Sequence, residues 1–282
     1  MKFRVNFTAS ALMFLAAVVS IPARAAFIFY ADDFSVTKNG SPLFNDDFSN
    51  GVPPPNAPNF LTNNAPASYS VYGTVGESGG KLILDSSGAV PSTGPVPGLV
   101  QNVILNTNTS DLPADASLGL KSDMTFSVSG LFDLVAPGPA GEGYGVRLTD
   151  YTSTHTGNDI IDLLLMRDIN NSLSVELRHV DLTLGIITWL EAITADPLHQ
   201  QILLTLSKPD SASSTIDAEF AYVDGGVTGS FTSFTTTPTI FNGETYTSAG
   251  IHTLAPVPLP AAGWLFLSGL TAVFGWVRRR SR

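Results

Sequence analysis

The sequence predicts an all-β chain, an antiparallel β-sandwich, and three observations support that expectation. Apolar residues recur with period two in short runs, as they do in strands buried on one face. Clusters of Gly, Asn, Asp and Pro separate the runs and supply turn chemistry. Between the two ends of the chain no segment carries the apolar stripe of an amphipathic helix. A strand with one apolar face needs a second sheet to cover it, so many such strands without intervening helices imply two stacked sheets.

In chain order, Lys2 and Arg4 precede an apolar stretch over 9–21, and Ala23 and Ala25 place small residues at the two positions a signal peptidase reads. Residues 1–25 are therefore expected to be a signal peptide cut after Ala25, too short in its apolar part to span a bilayer. The domain proper is expected over 26–255. Its runs include Met124, Phe126 and Val128 within 121–129; Tyr144, Val146 and Leu148; and Leu173, Val175 and Leu177 separated by Ser174, Glu176 and Arg178. They continue with Ile202, Leu204 and Leu206, with Ile216, Ala218, Phe220 and Tyr222, and with 227–234. Asn39-Gly40, Gly79-Gly80, Pro137-Gly138-Pro139, Asn170-Asn171 and Asp224-Gly225-Gly226 read as turns. Proline-rich 51–66 and 88–98 read as surface loops, and 255–260 as a stiff stalk. A jelly roll is the natural architecture for this series.

The chain has 14 basic and 24 acidic residues. Three of the basic residues precede Ala26 and four follow Val277, which leaves seven against all 24 acids, a net of −17 for the domain. So acidic a surface excludes nucleic acid as a partner and disfavours anionic lipid. Cysteine is absent, which rules out disulfides, thiolate metal sites and cysteine nucleophiles.

At the C-terminal end, 256–282 reads as an address rather than part of a fold. Val257, Pro258, Leu259, Pro260 and Ala261 precede an uncharged apolar run over 261–277, and Arg278, Arg279, Arg280 and Arg282 close the chain. At about 1.5 Å per residue the run reaches about 25 Å, just enough for a transmembrane helix, with the arginines retained on the cytoplasmic side. This order of motif, short span and basic end resembles the PEP-CTERM class of sorting signals, in its VPLPA-CTERM variant. The resemblance implies processing by a membrane-embedded exosortase or archaeosortase-like enzyme in a Gram-negative bacterium that makes exopolysaccharide. It also implies a cell-surface, outer-envelope or extracellular-matrix destination with transient membrane anchoring.

A second resemblance begins at Leu43-Phe44-Asn45-Asp46-Asp47-Phe48-Ser49-Asn50-Gly51, followed by Gly79-Gly80-Lys81-Leu82-Ile83-Leu84. These segments look like the opening of bacterial concanavalin A-like, or laminin G-like, sandwich domains. That likeness implies a first strand in a sheet completed by the last strand, and glycan binding, often with calcium. Asp32-Asp33-Phe34 and Asp46-Asp47-Phe48 recur once, which chance or a hairpin explains better than a repeat architecture.

The candidate chemistries are few. Thr215-Ile216-Asp217-Ala218-Glu219 resembles the Glu-x-Asp-x-Glu strand of laminarinase-type glycosidases, but Thr215 stands where the nucleophile belongs. Asp217 and Glu219 are better read as the solvent face of a strand. Asp150, Asn158 and Asp159 offer hard oxygens to calcium around Gly157, although ordinary turn roles account for them as well. No cofactor is required. Gly141-Glu142-Gly143-Tyr144-Gly145 opens a strand and reads as a turn or bulge. The histidines His155, His179, His199 and His252 show no ligand pair and read as surface or half-buried structural residues, while Tyr69, Tyr72, Tyr151 and Trp189 read as core before sugar platform. The expected function is a non-enzymatic, exported protein contacting glycan or exopolysaccharide. The alternatives are an extracellular polysaccharide-acting enzyme (glycosidase or lyase) and a purely structural matrix component.

Overall fold

The computed structural model describes residues 27–52, 59–60, 66–67, 69–91, 99–105, 120–138, 140–149, 159–168, 170–181, 184–241 and 246–255. The expected signal peptide with Ala23 and Ala25, the sorting motif, the span and the terminal arginines lie outside these residues, as do Asp150 and Asn158. No described helix is long and apolar enough to cross a membrane.

Among the described residues the chain forms two large antiparallel sheets and no helix. The first runs, in spatial order, β18 (Val227–Thr228), β17 (Asp217–Asp224), β16 (Gln201–Lys208), β11 (Phe126–Asp133), β1 (Ile28–Lys38), β7 (Leu82–Asp85) and β6 (Gly76–Glu77). Beside this path β19 (Thr232–Ser233) pairs with β17, and β2 (Ser41–Asp46) with β1. The second runs β15 (Ile186–Thr194), β14 (Leu173–Asp181), β13 (Asp159–Arg167), β12 (Gly143–Thr149), β20 (Tyr246–Ala255), β9 (Leu99–Leu105) and β5 (Tyr69–Tyr72). To it are added β10 (Leu120–Lys121) on β20 and β8 (Val90–Pro91) on β9; β3 (Asn59–Phe60) and β4 (Pro66–Ala67) form a separate short pair.

One apolar core lies between the sheets, drawn from Phe29, Phe34 and Phe132 on one side and Tyr144, Leu163, Val175 and Ile251 on the other. The period-two runs produce it, because alternate residues of a strand point to one face. β1 needs a correction to that period to work. Its buried residues are Phe29 and Ala31, then Phe34 and Val36, so the parity changes at Asp32. The register against β11 shifts between Ala31 and Asp33, and this bulge restores the apolar face to the core. The repeated Asp-Asp-Phe segments meet across the β1–β2 hairpin, where Phe34 pairs with Asp46 and both Phe34 and Phe48 are fully buried. Asn39-Gly40, at φ 49° and 75°, closes that hairpin, and Gly225-Gly226, at 58° and 78°, closes β17–β18.

Tyr144 ties the two sheets together. Its ring centroid lies 4.3 Å from that of Phe29 and 5.4 Å from that of Phe132. Its hydroxyl donates to the carbonyl of Asp133 at 2.8 Å and accepts from the backbone N–H of Val135 at 3.0 Å. Burial raises its phenol well above the ordinary range.

Several sequence expectations are corrected. The run 121–129 is two strands, β10 and β11, because Met124 N donates back to Lys121 O in a turn. The run 227–234 holds only β18 and β19, two residues each, with Phe234 reaching the core. Gly143 and Gly145 are strand residues of β12 with unbroken register, and only Gly141, at φ 86°, takes a turn conformation. The first and last described strands also lie in different sheets. β1 spends its hydrogen bonds on β11, β2 and β7, and β20 on β12, β9 and β10.

Candidate functional site on the outer face of the second sheet

Strands β12, β13 and β14 of the second sheet are buried on both faces, and that fact defines the site. Val146, Leu163 and Leu177 face the other sheet, so their strand neighbours Arg147, Asp162 and Arg178 face away from it. The registers Arg147↔Asp162, Asp162↔Arg178 and Arg178↔Trp189 set four side chains in a row across β12 to β15. One level along, Gly145 pairs with His252, and His252 with Asn102 of β9. Gly145 is required there: a Cβ would stand 2.1 Å from the carbonyl oxygen of Leu163.

These residues form one hydrogen-bonded set. Arg147 donates to Asp162 through Nε at 2.7 Å and Nη2 at 3.0 Å, a bidentate fork. Arg178 Nε donates to Asp162 Oδ2 at 2.8 Å, and Arg178 Nη2 lies 3.0 Å from His252 Nε2. His252 Nδ1 lies 2.6 Å from Asn102 Oδ1, which Arg147 Nη1 also approaches at 3.3 Å. Exposure is 0 % for Asp162, 1 % for Arg178 and 2 % for His252. Beyond them on the same face Val100, Leu164, Met166 and Leu254 form a separate apolar cluster.

Protonation follows from this geometry. Burial opposes the Asp162 charge, but the guanidinia of Arg147 and Arg178 outweigh it and hold the carboxyl far below the ordinary range. Burial, together with the charge of Arg147, pushes His252 well below 6.5, so the ring is neutral. An arginine only donates, so Nε2 is the accepting nitrogen and Nδ1 carries the proton it gives to Asn102. Within the hydrogen-bonded set two guanidinia share one carboxylate, and the Glu176 carboxyl on the same face also acts on Arg178. Asp162 has both oxygens occupied and holds the two guanidinia in place; it is not free to act as a nucleophile or base. On the same face Ser174 donates to Glu176 Oε1 at 2.7 Å, and burial raises the Glu176 carboxyl above the usual range.

Two features point toward a ligand. Among the described residues Arg178 Nη1 is buried without a hydrogen-bond partner, a costly state for a charged donor. Over this guanidinium, 5.5 Å from ring centroid to Cζ, stands Trp189, which is 52 % exposed.

His252 carries a pH prediction. Its folded pKa is lowered from 6.5, so the unfolded chain takes up a proton first and stability is lost as pH falls below that value. Between pH 7.5 and 5.5 the loss is about 1.4 kcal/mol. The stability gap between the natural chain and His252→Asn is expected to shrink by that amount, measured by urea unfolding at both pH values. A gap independent of pH contradicts a neutral His252.

The residues singled out in the sequence fall elsewhere. Asp217 is exposed and Glu219 half-buried on β17, with Ile216, Ala218 and Phe220 in the core, as the solvent-face reading expects. Asp159 is 3 % exposed and its Oδ1 lies 2.9 Å from His179 Nε2. His199 stacks on Tyr222 at 4.1 Å and holds Asp224. Asp168 accepts from the backbone of Asn170 and Ser172, which fixes the hairpin turn expected there. Trp189 is not core, since β15 is an edge strand and leaves its ring half in solvent, and His252 is neither surface nor half-buried but sealed among charges. Among the described residues no three His, Asp or Glu side chains gather as a metal set.

The sequence held one signal for this face that the alternation hid. Residues 160–166 are apolar at six of seven positions, Asp162 being the exception. A nearly continuous apolar strand is buried on both sides, and a lone carboxylate within it needs cationic partners on neighbouring strands.

No protein-family profile matches the chain, and no curated protein matches it. Among solved structures it is similar to a protein of unknown function from Shewanella oneidensis MR-1, with 10 % identity, 91 % of this chain and 97 % of that one covered, and a TM-score of 0.26.

Proposed function

We propose that this chain is an exported cell-surface or extracellular-matrix protein whose β-sandwich contacts glycan or exopolysaccharide through the outer face of its second sheet. In this reading residues 1–25 are removed by signal peptidase, and 256–282 deliver the chain to an exosortase-type enzyme at the membrane. The observation that supports the binding role is the half-exposed Trp189 ring beside the buried Arg147–Asp162–Arg178 set, on the face turned away from the core. Buried ion sets are a poor device for stability, because desolvation offsets much of their attraction. Convergent polar groups next to an exposed aromatic suit recognition of a ring that is apolar on its face and hydroxylated at its edge.

The test is a glycan-array screen of the purified chain, run with calcium and again with chelator. Saturable binding that persists in chelator is the expected result, since Asp159, the described member of the proposed calcium set, is engaged by His179. Silence from a folded sample overturns the binding reading.

A further inference from the structure

Resting on that reading, we infer that the glycan is acidic, with a sugar carboxylate received by the unpartnered Nη1 of Arg178 while the sugar ring stacks on Trp189. Arg178 uses Nε on Asp162 and Nη2 on His252, and among the described residues its Nη1 has no acceptor. A guanidinium presents parallel N–H groups that match a carboxylate, and an unmet one in a dry site is satisfied best by an anion. Asp162 is shared between two guanidinia, Glu176 on the same face also acts on Arg178, and neutral His252 adds no charge. Trp189 is the described side chain that stands over the guanidinium, and it is the half-exposed edge-strand residue that must shift for an anion to reach Nη1. A pyranose carboxylate entering beside the indole meets the cation below and an aromatic face above.

The acidity of the chain, −10 overall, opposes the approach of any anion at long range. Salt screens that repulsion within about 10 Å of solvent at 0.1 M but screens a buried pair much less. Affinity is therefore expected to hold or rise between low salt and 0.15 M, unlike binding by a basic surface, which weakens.

The experiment titrates the full chain with an oligouronate and with its carboxyl-reduced, neutral counterpart, following indole emission and heat. The oligouronate is expected to bind about tenfold tighter or better, the scale of one charge-assisted hydrogen bond. Arg178→Lys keeps a cation for Asp162 but removes the forked nitrogen, and is expected to abolish the preference while leaving the neutral oligosaccharide bound. Equal affinity of the natural chain for the two oligosaccharides overturns the carboxylate assignment and leaves the glycan reading standing; that comparison needs no variant. Failure of a folded chain to bind either overturns both. Displacement of the oligouronate by an equal concentration of acetate shows a general anion pocket and overturns the sugar part of the assignment, whereas persistence of the complex supports it.

Discussion

Asp162→Asn is expected to lower the free energy of unfolding by about 3 to 5 kcal/mol, the usual result of removing one partner from a buried ion set. The change is almost isosteric, so the loss is electrostatic rather than a matter of volume. It leaves the guanidinia of Arg147 and Arg178 in a site from which water is excluded, with no counter-charge between them. Because the folded pKa of Asp162 is lowered, its contribution is present above the unfolded value of 3.8 and is lost only as pH falls below it. Urea unfolding at pH 7 measures the loss, with Asp217→Asn, an exposed carboxylate, expected within about 0.5 kcal/mol of the natural chain. Equal effects at the two positions contradict a buried network.

Tyr144→Ala is expected to cost about 3 to 5 kcal/mol for the lost ring alone. Beyond the cavity between Phe29 and Phe132, it removes the hydroxyl shared by the Asp133 carbonyl and the Val135 N–H, which keep their own 2.9 Å hydrogen bond to each other. Tyr144→Phe separates these contributions: it keeps the ring and is expected to lose about 1 kcal/mol, the net worth of a buried hydrogen bond whose backbone partners stay bonded to each other. A Phe variant as unstable as the Ala variant contradicts the packing role given to the ring.

Strands such as β14 were legible because they bear apolar residues at period two, as in Leu173, Val175 and Leu177, whereas β13, apolar at six of the seven positions 160–166, carries no such alternation. The bulge at Asp32 was not legible, since a one-residue change of parity looks like the end of a strand until the partner strand is known. The candidate site was hidden by the same alternation that revealed the core. Ser174, Glu176 and Arg178 read as polar separators facing water, and all three are buried. Arg147, Asp162, Arg178 and His252 are spread over more than a hundred residues of chain, and only the registers of β12, β13, β14 and β20 bring them together. Trp189 needed the knowledge that β15 is an edge strand, which depends on strand order and not on local pattern.

The central claim is that the outer face of the second sheet meets the glycan. Hydrogen exchange of the chain with and without a bound oligosaccharide tests it most directly. Slowed exchange concentrated in β14 and β15, around Arg178 and Trp189, is the expected result. Protection confined to the first sheet, with β14 and β15 unchanged, contradicts the account.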